Sequence, residues 1–235
     1  RHLSATAALT LAAGVKIWPV ILLPLVWRAI PDRPKKLVLA IALALCGGAL
    51  LAWPIVSAGL DPSSGFTAYA SEWKTNSAMF AMLDGLAGQV LDGLRIEALS
   101  SGQLARLAIV LAIGAIVAWQ CRAPAKDARD IVHKALIITA TMFLLSPAQF
   151  PWYYLWVLPL LALQPVRGLL VLTATLPLYY TAFYFLSHRN YALYSEGIIW
   201  LIWLPAWGLL AWDARHRAAS LLHRRLPSRK ARESS

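Results

Sequence analysis

The sequence predicts an all-α, polytopic membrane protein, because charge is scarce and apolar residues run in unbroken stretches. Hydrophobic residues make up 59% of the 235 and charged residues 14%, with a mean hydropathy of +0.59. A soluble domain carries about 25% charge. Residues 37–58 and 104–119 are near-continuous apolar runs. At about 1.5 Å per residue, about 20 residues cross the roughly 30 Å hydrocarbon core. A β-barrel would show short alternating segments instead, and these runs do not alternate.

Taken in order, about seven membrane segments are expected. The first covers residues 3–27 and contains Lys16, Pro19 and Pro24. The second is 37–58. A long loop, 59–103, leads to the third, 104–119. The fourth, 131–145, is followed by the turn "SPAQFPW" and the fifth, 153–163. The turn "QPVRG" leads to the sixth, 168–186, and a loop with His188, Arg189 and Asn190 leads to the seventh, 197–212. Segment one has a second form. Val15–Pro19 is then the tip of a helical hairpin whose arms, about 12 residues or about 18 Å each, are too short to span. The segments make residues 1–212 a transmembrane domain and leave 213–235 as a basic cytoplasmic tail.

Net charge is +11, but its placement argues against nucleic acid. Basic residues cluster after segment one (Arg28, Arg33, Lys35, Lys36), after segment three (Arg122, Lys126, Arg129, Lys134), at Arg167 and in the tail. Alternating segments bring all of these to one side, which the positive-inside rule makes cytoplasmic. The long loop, the "SPAQFPW" turn and the His188–Arg189 loop are then external. The expected location is the plasma (inner) membrane, with the active side outward. The tail could contact anionic lipid. Cys46 and Cys121 have no metal or disulfide spacing. The chain opens on Arg1 with no signal-peptide pattern, and is expected to be the C-terminal part of a longer protein.

Few residues are placed to carry chemistry. Lys16 stands inside an apolar run, where a cation is unfavourable by about 2.5–3.5 kcal/mol and marks a cavity or partner by default; beside Pro19 and Trp18 it suits an anion such as phosphate. Arg106 reads as an interfacial snorkelling side chain. In the long loop, Met79, Phe80, Met82, Leu83, Leu86, Val90, Leu91 and Leu94 recur at helical spacing, predicting an amphipathic helix lying on the membrane or capping a cavity. Asp84 and Asp92 form its solvated face. Just upstream, Tyr69, Glu72, Trp73, Lys74 and Asn76 combine the aromatic, carboxylate and amide groups that hold a polyhydroxylated ligand, although Trp and Tyr are also ordinary belt residues. Trp152, Tyr153, Tyr154 and Trp156 open segment five as such a belt. Pro151 fits a helix's first turn, and Gln149 sits where a polar side chain could reach an outer cavity. There is no GxGxxG, P-loop or HExxH. No metal site is signalled, and a divalent cofactor stays open.

Three phrases resemble one family. "GVKIWPVILLPL" (residues 14–25) is similar to the Lys-x-x-Pro segment of GT-C type glycosyltransferases that use polyprenyl-phosphate sugars, including the first GPI mannosyltransferase and bacterial glycosyltransferase family 87. "SPAQFPWYYLWVLPLLAL" (146–163) resembles their P-x-x-x-x-W-Y-x-x-W-x-x-P-L segment. "YASEWKTNSAMFAML" (69–83) resembles the W-x-x-N-S-x-F outer loop of family 87. The resemblance implies a GT-C-like helix bundle. It also implies transfer of a hexose, by expectation mannose, from a polyprenyl-phosphate donor to a lipid or glycan acceptor on the outer face. Lys16 and Arg189 become candidates for the donor phosphate. Trp18, Glu72, Trp73, Asn76, Gln149, Trp152, Tyr153 and His188 complete the expected substrate-binding set. The family's catalytic Asp lies in an outer loop upstream of Arg1, so no base is assigned and the chain alone is expected to be inactive. The competing reading is a transporter or lipid flippase, which also uses broken helices and buried charge.

Overall fold

The computed structural model describes residues 2–30, 33–59 and 73–225, and the described residues are helical apart from turns and one isolated bridge. Glu72 and Tyr69 lie outside them, as does the tail beyond Arg225. The chain divides into two compact units, Arg1–Gln164 and Pro165–Ser235.

In the first unit, α1 (His2–Val15) ends at Lys16, and α2 (Trp18–Arg28) begins as a 3₁₀ turn with Pro19 in its first turn. A continuous helix would hold Val15 and Leu23 about 12 Å apart. Instead, α1 folds back against α2, with Cα atoms of the two within 8 Å. Segment one is therefore the hairpin form and not one span. α1 runs alongside α3 (Pro34–Ser57), which Pro34 opens. The seam is made of small residues: Thr6 and Thr10 on α1 are buried, as are Ala40 and Ala44 on α3. A Cβ on Gly47 would meet Thr10 Cγ2 at 2.9 Å, and one on Gly14 would meet Leu51 Cδ1 at 2.8 Å. Small side chains at four-residue spacing are how helices approach closely in lipid. The threonine hydroxyls donate to carbonyls one turn back, Thr6 to His2 at 3.0 Å and Thr10 to Thr6 at 2.9 Å, so neither is left unpaired in the seam.

The amphipathic helix of the long loop exists as α4 (Ala78–Leu94). Phe80, Ala87 and Leu91 are buried, and Phe80 and Ala87 pack with Ala105 and Ile109 of α5 (Ser101–Gln120). Met82, Leu86 and Val90 form a second, exposed apolar row. α5 starts at a capping box, with Ser100 and Gln103 each accepting the other's backbone N–H. α6 (Ala128–Leu145) starts at Asp127, whose carboxylate accepts from Asp130 N at 2.8 Å. Its C-terminal partner is short: a 3₁₀ turn (Pro151–Trp156) and α7 (Leu158–Leu163), which return along α6 as a second hairpin.

Basic groups collect at one end of this unit. Arg28 Nε donates to Cys121 O at 3.2 Å and Lys134 Nζ to Ala123 O at 2.8 Å. The loop Trp73–Ser77 and the 146–153 turn lie at the other end, because α5 and α6 rise between them.

The second unit pairs α8 (Arg167–Ser187, with a 3₁₀ stretch at Leu176–Tyr180) with α9 (Ile199–Arg225), which is entered through a π turn, Tyr194–Ile198. Leu169, Leu172 and Leu176 face Ile202, Trp203 and Ala206 in a buried seam. Thr175 Oγ1 donates to Ile202 O at 3.0 Å, and Arg167 meets Asp213 at 4.0 Å.

Four helices among the described residues are long and apolar enough to span: Pro34–Ser57, Ser101–Gln120, Arg167–Ser187 and Tyr191–Arg217. The seven expected segments are thereby corrected. Segment one is two short arms, segment four is part of α6, which starts earlier and carries Arg129, Asp130 and Lys134 in its first two turns, and segment five holds only six α-helical residues. The finding stands as a helical membrane protein.

Candidate functional site

The two hairpins of the first unit meet. Lys16, at the first hairpin's tip, holds its Nζ 4.0 Å from the ring centroid of Tyr153 and 5.5 Å from that of Trp156. Trp18 stacks on Trp156 at 5.0 Å, and Trp156 on Tyr153 at 4.7 Å. The local sequence explains the geometry. Pro19 and Pro151 each open a 3₁₀ turn, and the tight winding of those turns sets Trp18 and the Tyr153–Trp156 pair where two chain reversals face each other. A cation over aromatic faces gains about 0.5–2 kcal/mol. Lys16 is otherwise exposed, and has no ion pair among the described residues. Its depth follows from α3: Gly14 packs at Leu51, about 9 Å short of the helix end at Ser57.

The long loop joins the same end. Thr75 N donates to Pro147 O and Gln149 N to Thr75 O, both at 3.0 Å, forming a parallel bridge between Thr75 and Ala148. Asn76 Nδ2 donates to Gln149 O at 3.1 Å. Asn76 itself stands at φ +51°, a left-handed conformation that Asn adopts more readily than most residues. Trp73 meets Phe150 edge-on at 5.8 Å, and Phe150 stacks on Trp152 at 4.5 Å. Trp73 and Trp152 stay exposed, whereas Tyr153 is 9% exposed.

Gln149 is shielded from solvent. It is 0% exposed, and its Nε2 donates to Phe143 O and Leu144 O, both at 2.8 Å. The side chain satisfies two of the carbonyls that end α6, so it holds the turn's shape. The sequence ended segment four at Leu145, as α6 does, but could not show that the Gln149 side chain turns back onto the helix's last carbonyls.

Asp84 is likewise not a merely solvated carboxylate. It pairs with Lys74, which holds its carboxyl below the ordinary range, with the Ser101 hydroxyl adding to the effect. Arg106 lies across the Phe80 ring at 5.1 Å, and its guanidinium donates to Trp73 O at 3.5 Å and Gly102 O at 3.3 Å. Arg106 thus ties the start of the loop phrase to α5. It was read as snorkelling because its partners are a backbone carbonyl and a ring far away in sequence.

His188 and Arg189 lie in the second unit, in the turn that ends α8. His188 Nδ1 is 2.8 Å from Tyr184 O and its ring lies on Tyr184 at 4.2 Å, while Arg189 stands at φ +55° and is exposed. Glu72 falls just before the described part of the loop. No group of three or more metal-ligating side chains occurs among the described residues.

Three of the expected site residues therefore form one aromatic–cationic cluster (Lys16, Trp18, Tyr153). Trp73, Asn76, Gln149 and Trp152 build the loop platform at the same end of the unit. Trp156 and Phe150 belong with them. The signal for Trp156 was its three-residue spacing from Tyr153, which eclipses them in a 3₁₀ turn. Comparison with protein-family models, curated proteins and solved structures finds no match to this chain.

Proposed function

We propose that the chain is part of a membrane glycosyltransferase that moves a hexose, by expectation mannose, from a polyprenyl-phosphate donor to a lipid or glycan acceptor on the outer face of the plasma membrane. One observation supports this reading above the others. Three phrases that suggested it, lying up to 137 positions apart between Lys16 and Tyr153, pack at one end of one unit. In the reaction the bond from the anomeric carbon to the phosphate oxygen breaks and a bond to the acceptor oxygen forms. The acceptor proton passes to a base, and the leaving polyprenyl phosphate gains charge. Lys16, held on Tyr153 with its far side open, is suited to that charge. The exposed rings of Trp73 and Trp152 suit a sugar face or a prenyl chain. No base is assigned. Arg189 is kept as a second candidate for the phosphate.

A transporter is the second reading, favoured by the interrupted helices at Lys16–Ile17, Leu176–Tyr180 and Tyr194–Ile198. Membranes carrying the full-length protein, supplied with polyprenyl-phosphate mannose, distinguish the two. Lys16→Ala is expected to lower the rate of sugar transfer about tenfold, equal to about 1.4 kcal/mol of barrier, with Lys16→Arg retaining most of it and Glu72→Gln tested beside them. If no donor is consumed while a lipid or solute crosses the membrane, the transporter reading replaces this one.

A further inference from the structure

The second unit carries a groove of about 600 Å³, lined by Pro165, Arg167, Trp212, Asp213, His216 and Arg217. It lies at the end of the α8–α9 pair where the "QPVRG" turn meets the last apolar turn of α9, and nothing in the transferase reading uses it. We propose that this groove holds the phosphate headgroup of an anionic phospholipid.

Charge comes first. Two arginines face one carboxylate, so the lining is net positive. Asp213 neutralises Arg167 only in part, since the pair is 4.0 Å apart and the Arg167 side chain remains 74% exposed. A guanidinium so placed keeps N–H groups for a phosphate, which it can grip at two oxygens.

The wall comes second. Trp212 is exposed and lies against His216 with ring centroids 4.6 Å apart, giving an amphipathic edge of the kind found at headgroup depth. The groove's size falls within the range of small-ligand sites, roughly 300–1,000 Å³.

Continuity decides between a lipid and a free anion. Above the groove both helices are long enough to span, and they present exposed apolar side chains, Leu170 on α8 and Leu201 and Leu204 on α9. A headgroup in the groove would lay its acyl chains along that surface, whereas free phosphate would gain nothing from it. The positive-inside rule sets this end of the pair at the cytoplasmic leaflet, where anionic lipids reside.

The test is lipid binding to the full chain in detergent, followed by native mass spectrometry during titration with phosphatidylglycerol or phosphatidylcholine. Phosphatidylglycerol is expected to bind more tightly, and Arg167→Gln to weaken it roughly fivefold, the effect of one arginine near an anionic headgroup. Asp213→Asn is expected to strengthen binding, because the carboxylate competes for Arg167. Arg129→Gln, in the basic turn of the first unit, is expected to leave binding unchanged. Far-ultraviolet circular dichroism shows whether each variant keeps its helices. Equal binding of the two lipids overturns the proposal, and so does a loss in Arg129→Gln as large as in Arg167→Gln. Displacement of phosphatidylglycerol by inorganic phosphate alone would assign the groove to the free anion and sink the lipid reading.

Discussion

At the scale of single residues, the site depends on a few side chains in unusual settings. Asn76 does two jobs: it adopts a left-handed backbone and donates to Gln149 O. Asn76→Ala loses both and should destabilise by roughly 2–3 kcal/mol, from the lost hydrogen bond and the left-handed penalty together. Asn76→Gly keeps the conformation and should lose only about 1 kcal/mol; thermal melts in detergent distinguish the two. Asp84 sets a pH response. Folding lowers its pKa, so the Lys74 pair contributes fully above the unfolded carboxylate value of about 4 and is lost as pH falls through the lower folded value. Protection of α4 amides against hydrogen exchange should drop on acidification from about pH 5 to about pH 2. The drop should be modest, since Lys74 is well exposed, and smaller still in Asp84→Asn. Lys16 was legible from sequence alone, because a cation inside an apolar run is costly wherever the run lies. Its bed on Tyr153 was not legible, because that ring belongs to another hairpin.

At the scale of elements, periodicity predicted α4, and α4 formed. Its apolar positions split into a row against α5 and a row facing outward, as expected of a helix resting between protein and membrane. The turn between segments four and five was legible, but continuous apolar sequence has no face, so it could not show that segment five is a 3₁₀ turn followed by a short return arm. Pro19 and Pro151 mark helix starts; the reversal was read at the "SPAQFPW" turn and left open at Val15–Pro19, where the residues on both sides are equally apolar. The α8–α9 seam gives a sharp test. A Cβ on Gly168 would lie 2.7 Å from Ala206 O and 2.6 Å from Leu210 Cγ, whereas Gly208 has open space. Gly168→Ala should destabilise by about 1–3 kcal/mol through overpacking against backbone. Gly208→Ala should be neutral, or stabilising by up to about 1 kcal/mol through helix propensity. Thermal unfolding of the two variants, one turn of chemistry apart in cost, checks the packing.

At the scale of the whole molecule, the hairpins decide which parts share a side. The tips at Lys16 and at Trp152 belong to one end of the first unit, and Arg122 to the other. In a background without Cys46 and Cys121, cysteines at Lys16 and Trp152 should react with a membrane-impermeant thiol reagent from the same side, and one at Arg122 only from the opposite side. Reaction of Lys16 and Arg122 from one side would contradict the hairpin. By itself the sequence determined the solvent of this protein, its helical class and the segregation of its basic residues, because those follow from how much apolar surface and how little charge there is to distribute. It also singled out the phrases that pack together. Only the tertiary structure decided that four helices among the described residues reach spanning length, that Lys16 rests on Tyr153, that Gln149 serves the end of α6, and that Asp84 and Arg106 fasten the loop. Those outcomes depend on contacts between residues distant in the chain, and in an apolar sequence neither period nor composition distinguishes one distant partner from another.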